Sequence, residues 1–143
     1  MSQSYGCAFL HIVWTTKRRI PCIPDSIKKR LYEYIGQLAQ TEGLSFLAIG
    51  GTSNHVHILI KMQSGARAIS DFMRMIKSGS SKFLNEVMGE MFEFRWQRGY
   101  SFFSVSASAV NKARIYIYRQ EEHHEKYTLE DELEILGEKY EKN

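Results

Sequence analysis

Hydrophobic and polar positions alternate or recur along the chain with two distinct periods. Ala8–Thr16 ("AFLHIVWTT") is rich in β-branched and aromatic residues and reads as a strand. "KRRIPCIPDS" then turns the chain, and Asp25 or Ser26 is placed to cap a helix after it. From Ile27 to Thr41 the apolar residues Ile27, Leu31, Tyr34, Ile35 and Leu38 keep helical spacing, with Gly43 as the stop. Leu44–Gly51 is a second strand. A short "TSN" turn links it to a third, "HVHILIKM", so the pair predicts a hairpin. Another helix starts at about Ala68, with Ile69, Phe72, Met73, Ile76, Phe83, Leu84 and Val87 on its apolar side and a weak middle at Ser78–Ser81. "FEFRWQRGYSFFSVS" alternates only in part and predicts a strand with an irregular centre. "SAVNKARIYIYRQEEHHEKY" is a helix that Ser108 can cap. A short acidic helix closes the chain, with Thr128 and either Asp131 or Glu132 as capping candidates.

The resulting order, β-α-β-β-α-β-α-α, predicts an α+β fold: a mainly antiparallel sheet with packed helices, ferredoxin-like or RRM-like in its order. At 143 residues the chain suits one domain, residues 1–143, and no internal repeat or linker divides it. Its 43% hydrophobic and 24% charged residues are those of an ordinary globular protein. No apolar run approaches the ~20 residues of a membrane span, and the N-terminus does not read as a signal peptide. Cys7 and Cys22 make no metal or disulfide pattern, which points to a cytoplasmic protein with reduced thiols.

Charge sharpens the picture. Residues 1–100 hold 13 Lys+Arg against 7 Asp+Glu, a net of +6, whereas residues 101–143 hold 6 against 9, a net of −3. That polarity admits a nucleic-acid partner on the first part, or simply a solvated surface.

The strand "HVHILIKM" carries the first candidate chemistry. Side chains on a strand alternate between faces, so Val56, Ile58 and Ile60 share a core face and His55, His57 and Leu59 share the other. Two imidazoles at i and i+2 can converge on one metal ion, or each can form ordinary hydrogen bonds. A metal site needs a third ligand from elsewhere. The helix "ARIYIYRQEEHH" holds two tyrosines and a glutamine. Tyr116 and Gln120 are i, i+4 on one stripe, with His123 near the same stripe, while Tyr118 faces away from Gln120. Val110, Ala113 and Ile117 mark the core side, and an amphipathic helix with buried tyrosine rings explains the same residues. His123 and His124 also suit a helix C-terminus, where the dipole favours cations.

Together, "NHVHILIK" and "YIYRQEEHH" resemble the single-tyrosine HUH transposases of the insertion-sequence 200/605 group. "HIVWTTKRR" is similar to that family's first strand, "SGSSKFLNE" to its basic helix and "WQRGYSFFSVS" to the segment before its tyrosine helix, so the resemblance spans nearly the whole chain. It implies that His55, His57 and Gln120 bind a divalent cation, Mg²⁺ or Mn²⁺. It implies that Tyr116 attacks a single-stranded DNA phosphodiester, leaving a 5′-phosphotyrosine and a free 3′-hydroxyl. It implies a homodimer acting on hairpin-bearing transposon ends, with the basic residues Lys17, Arg18, Arg19, Arg67, Arg74, Lys77 and Lys82 as phosphate contacts. A domesticated relative acting on repetitive palindromes, and a hairpin-DNA-binding protein that does not cleave, fit the same residues. Asn54 departs from the Asp that many relatives carry before the first histidine, and weaker cation affinity is expected from the lost charge.

Overall fold

The computed structural model describes residues 5–42, 44–89, 92–124 and 128–141, the side chains of 123, 124 and 139–141 excepted. Four strands, β1 (Cys7–Thr15), β2 (Ser45–Gly51), β3 (His55–Gln63) and β4 (Ser101–Val105), form an antiparallel sheet in the order β2-β3-β1-β4. Along the chain the elements run β-α-β-β-α-β before the last helices, the ferredoxin-like order predicted from the sequence. Helices α1 (Asp25–Thr41) and α2 (Ile69–Met88) contribute to the core on one face. Helices α3 (Val110–Tyr118), α4 (Gln120–His124) and α5 (Leu129–Glu141) complete the chain, and α3 packs on the opposite face.

The first face is apolar throughout. Ile12 and Trp14 of β1, with Val56, Ile58 and Ile60 of β3, meet Leu31 and Ile35 of α1 and Phe72, Met73 and Ile76 of α2, all fully buried. The "SGSS" segment does not interrupt α2. Ser80 returns its hydroxyl to the Ile76 carbonyl at 2.6 Å and accepts from Trp96 Nε1 at 2.9 Å. Gly79 lets α1 come close, since a Cβ there would sit 2.9 Å from Leu38 Cδ1. Small residues that lower helix propensity thus tighten the helix–helix contact.

Local boundaries differ from expectation where residue type alone suggests the cap. Pro24, not Asp25 or Ser26, precedes the first turn of α1; Asp25 is inside the helix and pairs with Lys28 at 2.7 Å. Ser108 lies within a 3₁₀ turn (Ala107–Ala109), and Ala109 precedes α3 without a side-chain cap. The stop expected at Gly43 lies outside the described residues. Thr128 and Asp131 do form a reciprocal cap, with the Asp131 N–H donating to Thr128 Oγ1 at 3.2 Å and the Thr128 N–H to Asp131 Oδ2 at 3.4 Å. Among the described residues, the segment before β4 pairs with the sheet through one isolated bridge, Thr16 to Trp96, which accounts for its irregular pattern.

A candidate metal and tyrosine site on the second face of the sheet

His55 and His57 point from β3 to the face opposite Val56, Ile58 and Ile60, yet that face is not open: both imidazoles are completely buried. The cover comes from α3 and α5. Gly50 on β2 permits the approach of α3, because a Cβ there would lie 2.1 Å from the Ile117 carbonyl oxygen. Ala113 and Ile117 seat α3 beside Leu59 and Ala48, with Val110 half-buried at the edge.

That seating puts the half-buried Tyr116 ring edge-on to the His57 and His11 rings, with centroids 6.0 Å from each. Tyr118 goes the other way: it is exposed, and its hydroxyl reaches the Leu47 carbonyl at 3.5 Å. The predicted single helix is broken just after it. Arg119 (φ −104°, ψ 28°) ends α3, its N–H shared between the Ile115 and Tyr116 carbonyls, and Gln120 opens α4. Gln120 is therefore buried and directed at the histidines from a separate short helix. Lys28 fixes α4 from outside through Glu121 at 2.7 Å. Burial works to lower the Lys28 pKa, but hydrogen bonds to Asp25 and Glu121 outweigh it and hold the ammonium above its usual range.

Each histidine is oriented by a partner at its remote nitrogen. Asn54 Oδ1 lies 2.8 Å from His55 Nδ1 and Thr52 Oγ1 lies 2.9 Å from it. A proton on Nδ1 donated to Asn54 leaves the Nε2 lone pair directed at Gln120. Asn54 thereby keeps the hydrogen bonding of the expected aspartate without its charge. His11 Nε2 sits 2.7 Å from His57 Nδ1, the two nitrogens sharing one proton, and so sets the plane of His57.

The site has a further member that the sequence did not reveal. Glu132 of α5 is buried, with Oε1 2.5 Å from His57 Nε2 and 3.9 Å from His55 Nε2. His55, His57 and Glu132 each offer a ligand atom, and these atoms lie within 4.8 Å of one another. Gln120 completes the convergence. With its amide nitrogen turned inward, that nitrogen stands 2.8 Å from His57 Nε2, 3.1 Å from His55 Nε2 and 3.0 Å from Glu132 Oε1, each within donating reach. With its oxygen inward, that oxygen joins three other acceptors around one point. Acceptors gathered in this way suit a cation. Two imidazole nitrogens with amide and carboxylate oxygens form a mixed donor set that fits Mn²⁺ better than the oxygen-preferring Mg²⁺. His11 and Glu132 were both legible in retrospect. His11 lies on β1 in register with Leu59, on the histidine face. Glu132 lies between Leu129 and Leu136 on an apolar stripe of α5.

The candidate phosphate contacts divide. β1 runs into a 3₁₀ turn, Lys17–Arg19, in which Arg18 and Arg19 both have φ 57°. The turn is held by the Lys17 N–H on the Arg95 carbonyl (3.0 Å), the Arg18 N–H on Gln97 Oε1 (3.1 Å) and Asn54 Nδ2 on the Arg19 carbonyl (3.4 Å). Those bonds place all three basic residues, exposed, at the His55 end of the sheet. Lys17 and Arg18 border a cleft of about 430 Å³ with Arg95. Arg74 and Lys77 border another of about 430 Å³, also with Arg95. Arg95, absent from the predicted set, joins the two. Lys77 is half-buried and donates to the Gln97 and Gly99 carbonyls at 2.6 and 2.9 Å; burial lowers its pKa. Arg74 pairs with Asp71 at 2.6 Å, and Lys82 is exposed further along α2. Arg19 pairs with Glu130 of α5. Arg67 is not brought to this surface; it pairs with Glu42 near the end of α1 at 3.0 Å. The side chains of His123 and His124 lie outside those described. Among the described residues, no helix is long and apolar enough to cross a membrane.

Comparison with known proteins agrees with this architecture. Among solved structures, a chain assigned as a transposase of Deinococcus radiodurans R1 superposes with a TM-score of 0.61 at 22% identity, covering 82% of this chain and 95% of that one. The REP-associated tyrosine transposase bound to a REP hairpin superposes with a TM-score of 0.64 at 15% identity, covering 87% of this chain and 73% of that one. At such identities the likeness is one of fold. No curated protein sequence matches. The family described as "Transposase IS200 like" matches residues 4–120, which takes in β1, both histidines of β3, Tyr116 and Gln120, and the chain belongs to that family.

Proposed function

We propose that the protein is a DNA strand transferase that cuts and rejoins single-stranded DNA at hairpin-bearing transposon ends. The observation that carries this reading is the seating of Tyr116 against His57 and His11 while Tyr118 faces away. Tyr116 is the nucleophile. Its hydroxyl gives up its proton as its oxygen forms a bond to phosphorus, the bond from phosphorus to the 3′-oxygen breaks, and that oxygen takes up a proton and leaves as the 3′-hydroxyl. The 5′-phosphotyrosine keeps the energy of the broken bond, so rejoining needs no nucleotide hydrolysis. An unperturbed tyrosine has a pKa of about 10 and is a weak nucleophile at neutral pH, so the reaction calls for charge stabilisation at phosphorus. His55, His57 and Gln120 would hold a divalent cation, Mg²⁺ or Mn²⁺. Such a cation, when bound, polarises the phosphate and stabilises charge on the leaving oxygen. Asn54 and His11 keep the two imidazoles aimed for that role.

Lys17, Arg18, Arg19, Arg74, Lys77 and Lys82, with Arg95, would take the backbone phosphates of the hairpin. Arg67, paired with Glu42 away from that surface, would not share in this contact. The reading includes a homodimer working in the cytoplasm. Likeness to a structure bound to a REP hairpin favours a second version of the same chemistry, the processing of repetitive palindromes by a domesticated relative.

The test is a covalent-adduct gel. Protein is incubated with Mn²⁺ and single-stranded DNA carrying the hairpin end from beside its gene. A denaturant-resistant protein–DNA band is expected from the wild type and from Tyr118→Phe, and not from Tyr116→Phe. A band that persists in Tyr116→Phe and disappears in Tyr118→Phe reassigns the nucleophile. Hairpin binding without any band, across all cognate ends, makes the protein a binder that does not cleave.

A further inference from the structure

The family match ends at residue 120, and α5 begins at Leu129. Everything α5 contributes to the site is thus additional to the matched part of the chain. Its inward stripe is Leu129, Glu132 and Leu136, at 5%, 2% and 2% exposure. A carboxylate in the middle of an apolar stripe is costly to bury unless it has partners at its destination. The partners here are His57 Nε2 at 2.5 Å, His55 Nε2 at 3.9 Å and the Gln120 amide at 3.0 Å.

We propose that Glu132 is a fourth protein ligand to the cation, delivered by the C-terminal helix, so that cation binding and docking of α5 are coupled. The inference rests on the cation reading of the site given above and adds a ligand and a consequence to it. Donor atoms bonded to one ion at about 2.1 Å along perpendicular directions stand about 3 Å apart. Gln120 lies 2.8 to 3.1 Å from both Nε2 atoms and from Glu132 Oε1.

Charge supports the assignment. Two neutral imidazoles and an amide offer a divalent ion no negative charge, and Asn54 withholds the one an aspartate would bring. Glu132 restores it, as a hard oxygen donor suited to Mg²⁺ or Mn²⁺. Because the ion binds the docked helix and not an undocked one, it stabilises docking by mass action. The Thr128–Asp131 cap and the Arg19–Glu130 pair hold the same helix, so the coupling extends to one of the basic residues at the His55 end.

The experiment measures Mn²⁺ affinity by calorimetry, and amide exchange across residues 129–136 with and without Mn²⁺. It uses the full chain as wild type, Glu132→Gln, Glu134→Gln and His57→Ala, each first checked for a cooperative thermal transition. Glu132→Gln is isosteric, and Glu134 is exposed on the same helix. The proposal expects Glu132→Gln to weaken Mn²⁺ binding about tenfold or more and Glu134→Gln to leave it unchanged. It also expects Mn²⁺ to slow exchange in α5 of the wild type and of Glu134→Gln, but not of Glu132→Gln. Wild-type affinity in Glu132→Gln, with binding lost in His57→Ala, overturns the ligand assignment and leaves the histidine site standing. Undiminished binding in His57→Ala overturns the cation site itself.

Discussion

The two faces of one strand make the instructive contrast in this molecule. Val56, Ile58 and Ile60 look towards α1 and α2; His55, His57 and Leu59 look towards α3 and α5. Both sets are fully buried. The first face is filled by apolar side chains whose contribution is removal of surface from water and close packing. The second encloses His11, His55, His57, Gln120 and Glu132, none more than 2% exposed. Burying such groups is unfavourable unless each meets a partner. They meet one another, in a chain running from His11 through His57 to Glu132, with Gln120 joining it to His55 and Asn54. One face therefore supplies stability, and the other uses some of it to hold polar atoms at a point where a cation fits.

If the faces divide labour in this way, the largest effect on folding comes from the apolar one. Phe72→Ala removes a fully buried ring from the α2 side and should cost about 3–5 kcal/mol in urea unfolding, with Mn²⁺ affinity of the folded protein unchanged. Loss of Mn²⁺ affinity in that variant at temperatures where it is folded would show that the faces are not independent.

On the polar face, the dependence of His57 on His11 should appear in affinity. His11→Phe keeps bulk but removes the atom at His57 Nδ1, and should weaken Mn²⁺ binding by about 10- to 100-fold in calorimetry. His11→Gln, which can donate or accept at the same place, should recover most of it. Equal losses in Phe and Gln would make His11 a packing residue and blur the contrast.

The smallest change concerns Asn54. Asn54→Asp keeps the acceptor at His55 Nδ1 and adds a charge, so Mn²⁺ affinity should rise by a few-fold with the melting temperature nearly unmoved. An unchanged affinity would mean that the charge at position 54 does not reach the site.

Much of this was legible from local pattern. The period of 2 in "HVHILIK" assigned the histidines to one face, and the period of 3.6 in "ARIYIYRQ" separated Tyr116 and Gln120 from Tyr118. What pattern could not supply were partners distant along the chain. Glu132 stands in an acidic segment, where a glutamate reads as a solvated or capping residue until α5 is seen to turn it inward beside His57. His11 reads as one polar residue in an apolar strand until the β1–β3 register sets it diagonal to His57. The caps of α1 and α3 fall elsewhere than expected because Asp25 has the right chemistry but lies inside α1, and Ser108 lies in the 3₁₀ turn that precedes α3. Arg67 groups with the other basic residues by composition, and Glu42 draws it elsewhere.

The order of elements, the antiparallel α+β class, the alternation that separates histidine from valine and isoleucine, and the pairing of a tyrosine with a glutamine four residues on are all written in the chain. They come from backbone periodicity and side-chain polarity, which are local. Three features required the folded molecule: the histidine face is sealed and not open, Gln120 starts a new helix, and Glu132 joins the site. Those depend on the close approach of α3 over Gly50 and on the docking of α5, and local periodicity does not say which distant segments meet.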